Sequence, residues 1–439
     1  MAKIFENLFN LKENNTTISK EFIAGITTFL TMAYIIIVNP QILTSGTGMP
    51  YGGALAATIL VASLSSILMG VFANLPFALA PGMGINAFFT FTVILGFGLT
   101  WQQALGAVFI SGLVFIFLTI VRIRELIVKS IPAPVRLGVA SGIGLFLCFI
   151  GLKESGMIVC SPATLVCMGD FSPKLFIFLA GLVFTLILLI KKKKGALLSG
   201  IIFSTILAYS AGRLWGDTIL IHMPENFFSS PDLSSTFLKM DLSGAFKLSM
   251  VSVIFTFLFT DMFDSISTFL GVCQVSDLKD KDGNPKNMNK ALMVDAFSTT
   301  ISGILGTSSG TTYIESASGI EEGGRTGLTS VFTGLLFLPF LFLAPLIAII
   351  PMYATSPALV IVGFYMARAI IEVDMKSYGS GFPAFLALIL IPLTYSITQG
   401  ISWSIVFYIL LSFFDRKVER PSPMLYIIGI LSLLSLYLT

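Results

Sequence analysis

Four carboxylates stand inside apolar stretches of this chain. Asp261 and Asp264 occur in "FTFLFTDMFDSISTFLGV" (255–272), Asp295 in "ALMVDAFSTT" (291–300) and Glu315 in "SSGTTYIESASG" (308–319). The first two are three residues apart, which puts them on one face of a helix. An unpaired acid at the centre of a membrane span costs at least ~2.5–3.5 kcal/mol on insertion scales, so it normally faces a cavity and has a task. No Lys or Arg interrupts the same apolar runs to neutralise these groups. Acids in that setting suit the exchange of a proton between two access states, as a proton-coupled carrier requires. Structural readings stand beside this one. Asp295, about one turn from a loop, suits a cap or a bond between helices with Asp261 as partner, whereas Asp264 and Glu315 are harder to explain by structure alone.

The elements that must hold these acids are membrane helices. Of 439 residues, 55% are hydrophobic and 11% charged, against roughly 25% charged in soluble domains; mean hydropathy is +0.92. Runs such as 22–43, 106–121 and 176–190 approach or exceed the ~20 residues a span needs. The first run is too long for a secretory signal and lacks a small-residue cleavage site. Basic residues gather at 121–136, 191–194, 279–290 and 415–420. By the positive-inside rule these loops are cytoplasmic, which fits an N-in chain of about 14 spans with the basic loops after spans 4, 6, 8 and 14. Apolar runs at 382–397, 399–414 and 424–438 leave one short segment more than that count requires.

The chain also repeats itself. "GAVFISGLVFIFL" (106–118) parallels "TSVFTGLLFLPFL" (329–341), each followed by an Ile-Pro pair, and "SLSSILMGVFANLP" (63–76) parallels "AFSTTISGILGTSSG" (296–310). Each half carries an irregular polar stretch, "ALAPGMGINAFFT" (78–90) and "GTSSGTTYIESASG" (306–319). Non-helical backbone at membrane depth is tolerated only where protein or a cavity satisfies it. Paired interruptions at matching places in two halves point to a binding site at their junction, with half-helix N-termini aimed at a ligand. Kinked small-residue helix contacts are the alternative.

The segments "GITTFLTMAYIIIVNPQIL", "ANLPFALAPGMGINAFF", "SGIGLFLCFIGLKESGMIV", "TDMFDSISTFLGV" and "GTSSGTTYIESASGIEEGGRTGLT" together resemble the AzgA-like purine permeases of the nucleobase-cation symporter 2 superfamily, from about residue 18 to 415. The resemblance implies an all-α polytopic membrane protein of 14 segments in two inverted repeats of seven, with spans 3 and 10 broken by short strands. It implies a cytoplasmic segment 1–21, a core domain in 22–130 and 246–350 (spans 1–4 and 8–11) and a gate domain in 131–245 and 351–439 (spans 5–7 and 12–14). Carried over by motif, Asp264 and Glu315 hydrogen-bond the base. Asn86, Ala87 and Phe88 match the span-3 strand with its ring-contacting position, Thr312 and Ile314, just before Glu315, join the substrate-binding set, and Asp261 and Asp295, with Asp264, support the site or the proton coupling. Ser267 departs from the family's usual glycine, which bears on how closely a base approaches.

These features lead to a purine importer of the cytoplasmic membrane, with adenine slightly favoured over hypoxanthine and guanine, no cofactor, and a proton as coupling ion with sodium the alternative. A purine is flat and mostly neutral, so ring stacking and edge hydrogen bonds dominate its recognition. An anion carrier of sulfate or bicarbonate shares the architecture, but acids at the site argue against it. A membrane-embedded enzyme lacks a nucleophile–base pair or metal-ligand cluster. The expected partners are the purine and the bilayer, not nucleic acid, with room for a homodimer through the gate domain. His222 reads as a solvated loop residue, Lys153 and Glu154 as an interfacial pair, and Cys160 and Cys167 as two external thiols or, less simply, a disulfide.

Overall fold

The computed structural model describes residues 6, 8–121, 127, 130–214, 219–247, 250–274, 287–415 and 419–438. Among the described residues the regular structure is helical apart from two short antiparallel strand pairs. Helix α1 (Ile18–Met32) and helix α2 (Ile35–Thr44) form one broken span. Thr17 caps α1 by accepting from the Lys20 amide, so the first helix begins four residues before the boundary expected at 22. Helix α3 (Tyr51–Leu68) widens into a π turn over Met69–Ala73. The third span opens with strand β1 (Leu79–Pro81), then α4 (Met83–Ala87), which widens over Phe88–Gly96.

Helix α5 (Trp101–Ile120) starts with a capping box of Thr100 and Gln103. It is followed by α6 (Ala133–Glu154), a hairpin of β2 (Ile158–Ser161) and β3 (Leu165–Met168), α7 (Pro173–Ile190) and α8 (Ala196–Leu214). The second half brings a short α9 (Leu242–Ala245), then α10 (Val251–Gln274) and α11 (Met288–Leu305). Strand β4 (Gly310–Thr312) and helix α12 (Ser316–Glu321) make its broken span. Then come α13 (Gly327–Phe337), α14 (Ala344–Ala348), α15 (Met352–Ala367), α16 (Tyr378–Thr394), α17 (Ile397–Ser412) and α18 (Pro423–Leu438).

Among the described residues, seven helical stretches are long and apolar enough to cross a membrane, the longest being Ile18–Thr44 with 27 residues. Five shorter apolar helices accompany them, including Met83–Gly96 and the C-terminal three. The extra C-terminal segment is α18, which packs against α17. Tyr395 separates α16 from α17 by taking a left-handed turn (φ 54°), so the two run on as separate, mutually packed helices.

Packing partners recur along the chain. Helix α5 packs on α11, and α13 packs on α3; α5 also meets α10, and α13 meets α1. Helix α6 packs on α15 and α16, while α15 packs on α7 and α8. The stretches that resemble each other in sequence, 106–118 with 329–341 and 63–76 with 296–310, thus occupy corresponding places in two similar arrangements. Small residues permit the close approach: a Cβ on Gly112 would lie 2.6 Å from the Thr300 amide nitrogen, the kind of contact that holds helices together in lipid.

Candidate functional site

The two interrupted segments meet each other. Strands β1 and β4 pair antiparallel, with Leu79 opposite Thr312, Ala80 opposite Thr311 and Pro81 opposite Gly310. The Tyr313 amide donates to the Ala78 carbonyl and the Gly82 amide to the Ser309 carbonyl, each at 3.0 Å. Ser66 hydroxyl both accepts from the Leu79 amide (3.0 Å) and donates to its carbonyl (3.1 Å). Ser316 Oγ accepts from the Ala78 amide at 3.0 Å. The serines and threonines of this region thereby satisfy backbone groups that lipid would leave unpaired. Gly82 is required here, because a Cβ would lie 2.8 Å from Thr311 Oγ1 and 3.4 Å from Asp264 Oδ2.

Each acid has a definite place. Asp264, on α10, accepts from Thr311 Oγ1 at 3.3 Å. Glu315 occupies the N-cap position of α12 but makes no side-chain cap bond; its Oε1 accepts from the Tyr34 hydroxyl at 2.9 Å. Asp295 is fully buried and accepts from Ser265 Oγ at 2.6 Å. It lies two turns inside α11, deeper than a cap. Asp261, also buried, accepts from Thr299 Oγ1 at 2.5 Å, and Thr299 in turn reaches the Gly310 carbonyl at 3.4 Å. Asp261 and Asp295 therefore tie α10 to α11 and to β4.

A cavity of about 70 Å³ lies at the crossing, with Tyr34, Asp264, Thr268, Thr311, Thr312 and Glu315 among its lining residues. Val362 and Met366 close it from α15. Among the described residues that line it there is no Lys or Arg. The Thr312 hydroxyl is buried with no hydrogen-bond partner among the described residues. A larger cavity of about 450 Å³ shares Ile314 and Glu315 with the first and runs to Lys192–Lys194 and Glu322. There Lys194 Nζ pairs with Glu322 at 2.7 Å.

Of the residues expected at the site, Asp264, Glu315, Thr312 and Ile314 face this cavity. Asn86, Ala87 and Phe88 are fully buried behind it. Asn86 accepts from the Ser308 hydroxyl, and the Phe88 ring packs edge-on against Phe257 at 4.9 Å. The Ser267 side chain lies outside the described residues. Cys160 and Cys167 are free, exposed thiols; the hairpin sets Cys167 opposite Val159, not Cys160. His222 is exposed.

Three residues escaped the sequence reading. Tyr34 lies in the unbroken-looking run "FLTMAYIIIVNP", where no Gly or adjacent Pro marks the turn between α1 and α2; a buried phenol's need for a partner was the available signal. Tyr313 donates to the Pro81 carbonyl at 2.5 Å, locking β4 to β1. Glu21, assigned to the N-terminal segment, is fully buried. Its carboxylate accepts from the amides of Arg325 (2.9 Å), Thr326 (3.3 Å) and Thr329 (3.1 Å) and from Thr329 Oγ1 (2.6 Å). It thus caps α13 from α1, with negative charge at the positive end of the helix.

Many apolar helices around an acid-lined cavity between two broken spans define a polytopic membrane transporter. The solved structure of the transmembrane domain of the cyanobacterial bicarbonate transporter BicA has the same fold, at a TM-score of 0.65 and 16% identity, covering 88% of this chain and 97% of that one. The chain matches the family model described as "Permease family" (Xan_ur_permease) over residues 19–403 and belongs to that family. The adenine permease AdeP of Escherichia coli K12 is 40% identical over 434 residues, covering 99% of this chain and 96% of AdeP. The guanine/hypoxanthine permease PbuG of Bacillus subtilis 168 is 37% identical over 433 residues, covering 96% and 97% of the two chains.

Proposed function

We propose that the protein imports purine nucleobases across the cytoplasmic membrane by proton symport with alternating access. The observation that carries this reading is the convergence of Asp264 and Glu315, from different spans, on one cavity at the β1–β4 crossing. A neutral purine offers ring N–H donors to Glu315 and Asp264, and its ring nitrogens accept from hydroxyls such as that of Thr312. Two acids and no Lys or Arg among the described residues lining the smaller cavity disfavour an anion there, so the likeness to a bicarbonate transporter extends to fold and not to cargo. Relatives named as adenine permeases, at 40% and 42% identity, stand slightly nearer than the two guanine/hypoxanthine permeases of Bacillus subtilis at 35% and 37%, which supports adenine as the preferred base.

The recurrent packing supports a division into a core (spans 1–4 and 8–11) and a gate (spans 5–7 and 12–14), as two inverted repeats within 14 spans and with the N-terminus inside. A cavity of about 70 Å³ is small beside the ~300–1,000 Å³ of small-molecule sites. A base therefore enters as the α15 side chains Val362 and Met366 withdraw from the core. The larger cavity beside the 191–194 lysines provides the inner route. Radiolabelled uptake of adenine, hypoxanthine, guanine, xanthine and uracil into cells lacking other purine carriers tests the reading. Saturable purine uptake, competed most strongly by adenine, is expected; uptake of none of the purines would refute it.

A further inference from the structure

We propose that Tyr34 is a positioning residue for Glu315: its hydroxyl holds one carboxylate oxygen so that the other is presented to the cavity as an acceptor. The proposal deepens the purine reading above and rests on it for the ligand.

Three observations carry it. Tyr34 sits at the turn between α1 and α2, where the span is interrupted, and lines the same small cavity as Glu315 and Asp264. Its ring is buried, and its hydroxyl donates to Glu315 Oε1 at 2.9 Å. Glu315 is the N-cap residue of α12, yet its carboxylate makes no cap bond, so no bond to the α12 amides orients it. Without Tyr34, that side chain would share its rotamers between two cavities, since Glu315 lines both.

A tyrosine hydroxyl has one proton to give and a carboxylate has room for several donors. Donation from Tyr34 thus leaves acceptor capacity on Glu315 for a ligand N–H, and a hydrogen bond to an ionised acceptor is about twice as strong as a neutral one. The other titratable groups near Glu315 are Asp264 and Tyr313 in the smaller cavity and Lys192–Lys194, Glu321, Glu322 and Tyr365 in the larger. None of these is hydrogen-bonded to Glu315 among the described residues, which singles out Tyr34 as the side chain that orients it. A site so arranged selects purines carrying an N–H at the edge that meets Glu315 and rejects those methylated there.

The test is a double-mutant cycle on the purified full-length protein, with adenine binding read by calorimetry and with difference infrared spectra. Tyr34→Phe removes one oxygen and preserves ring shape, so the fold is retained, as checked by its melting temperature. Affinity for adenine should fall about tenfold, which is about 1.4 kcal/mol. In a Glu315→Gln background the same change should cost less than about twofold, because Tyr34 acts through the carboxylate. The carboxyl band assigned to Glu315 by subtracting the Glu315→Gln spectrum should shift in Tyr34→Phe, with no ligand present. Additive effects in the cycle, or an unshifted band, would overturn the proposal. Failure of the wild type to bind any purine would instead refute the transport reading, and the infrared band would still judge Tyr34.

Discussion

The rings of Phe91 and Tyr395 meet edge to face, with centroids 6.0 Å apart and planes at 79°. Lys153 Nζ lies 5.4 Å from the first ring and 5.8 Å from the second, and the Tyr395 carbonyl accepts from the Thr92 hydroxyl. Phe91 and Thr92 follow α4, whereas Lys153 lies near the end of α6 and Tyr395 between α16 and α17. Lys153 precedes α7 and the lysine loop follows it, so this aromatic seal and the large cavity lie toward opposite ends of an 18-residue helix. Lys153, read from sequence as half of an interfacial ion pair, does stand 3.9 Å from Glu154, but it also covers both rings of the seal, a cation–π arrangement.

Opening this seal should expose the site from the hairpin side. Tyr395→Ala removes the ring that Phe91, Phe146 and Phe149 all touch. A cysteine at Thr268, in an otherwise cysteine-free protein, should then react several-fold faster with an impermeant thiol reagent supplied at that face. An unchanged rate would show that the seal does not control access.

Orientation follows from the lysines. Single cysteines at 191–194 should be protected from an impermeant reagent outside the cell, and cysteines at 219–245 should label. The reverse pattern would invert the transport direction assigned to the two cavities.

Glu21 is a stability residue. Glu21→Ala removes the carboxylate acceptor of the Arg325 and Thr326 amides and weakens the bonding of the Thr329 amide and hydroxyl at the start of α13, at ~1–3 kcal/mol for each group left buried and unpaired. The melting temperature should fall sharply, by more than any single site variant lowers it. Adenine affinity of the molecules that remain folded should be unchanged. Weakened binding at undiminished stability would move Glu21 into the site.

The broad architecture is legible in the sequence, and so are Asp264, Thr312, Ile314 and Glu315 among the residues that line the small cavity. The alternation of apolar runs with basic loops marks spans because lipid imposes length and charge rules on each span separately. Asp264 stands out as a carboxylate among phenylalanines, and Glu315 as one in a polar break between apolar runs, because an acid at membrane depth is costly. Phe88 is harder to place from sequence. One apolar ring among many carries no sign of whether it faces a cavity or, as here, Phe257. Tyr34 and Glu21 were missed for a related reason. Each is defined by a partner about 280–310 positions away, and no local pattern encodes such a pairing.

Coupling should be to protons. In vesicles, adenine uptake should follow an inward proton gradient in sodium-free buffer and collapse with a protonophore. Asp264→Asn, which cannot exchange a proton, should abolish accumulation against a gradient while retaining some exchange. Uptake that requires sodium and ignores the proton gradient would contradict this.

The most direct test of the site is adenine binding to purified Glu315→Ala, measured by calorimetry beside Glu315→Gln and the wild type. Loss of the acceptor leaves a ligand N–H unpaired in a buried cavity, at ~1–3 kcal/mol or more, so the alanine variant should show no measurable binding while melting at close to the wild-type temperature. The glutamine variant, which retains a carbonyl oxygen without the charge, should bind roughly tenfold more weakly. Wild-type affinity in a well-folded Glu315→Ala protein would contradict the placement of the base between Asp264 and Glu315.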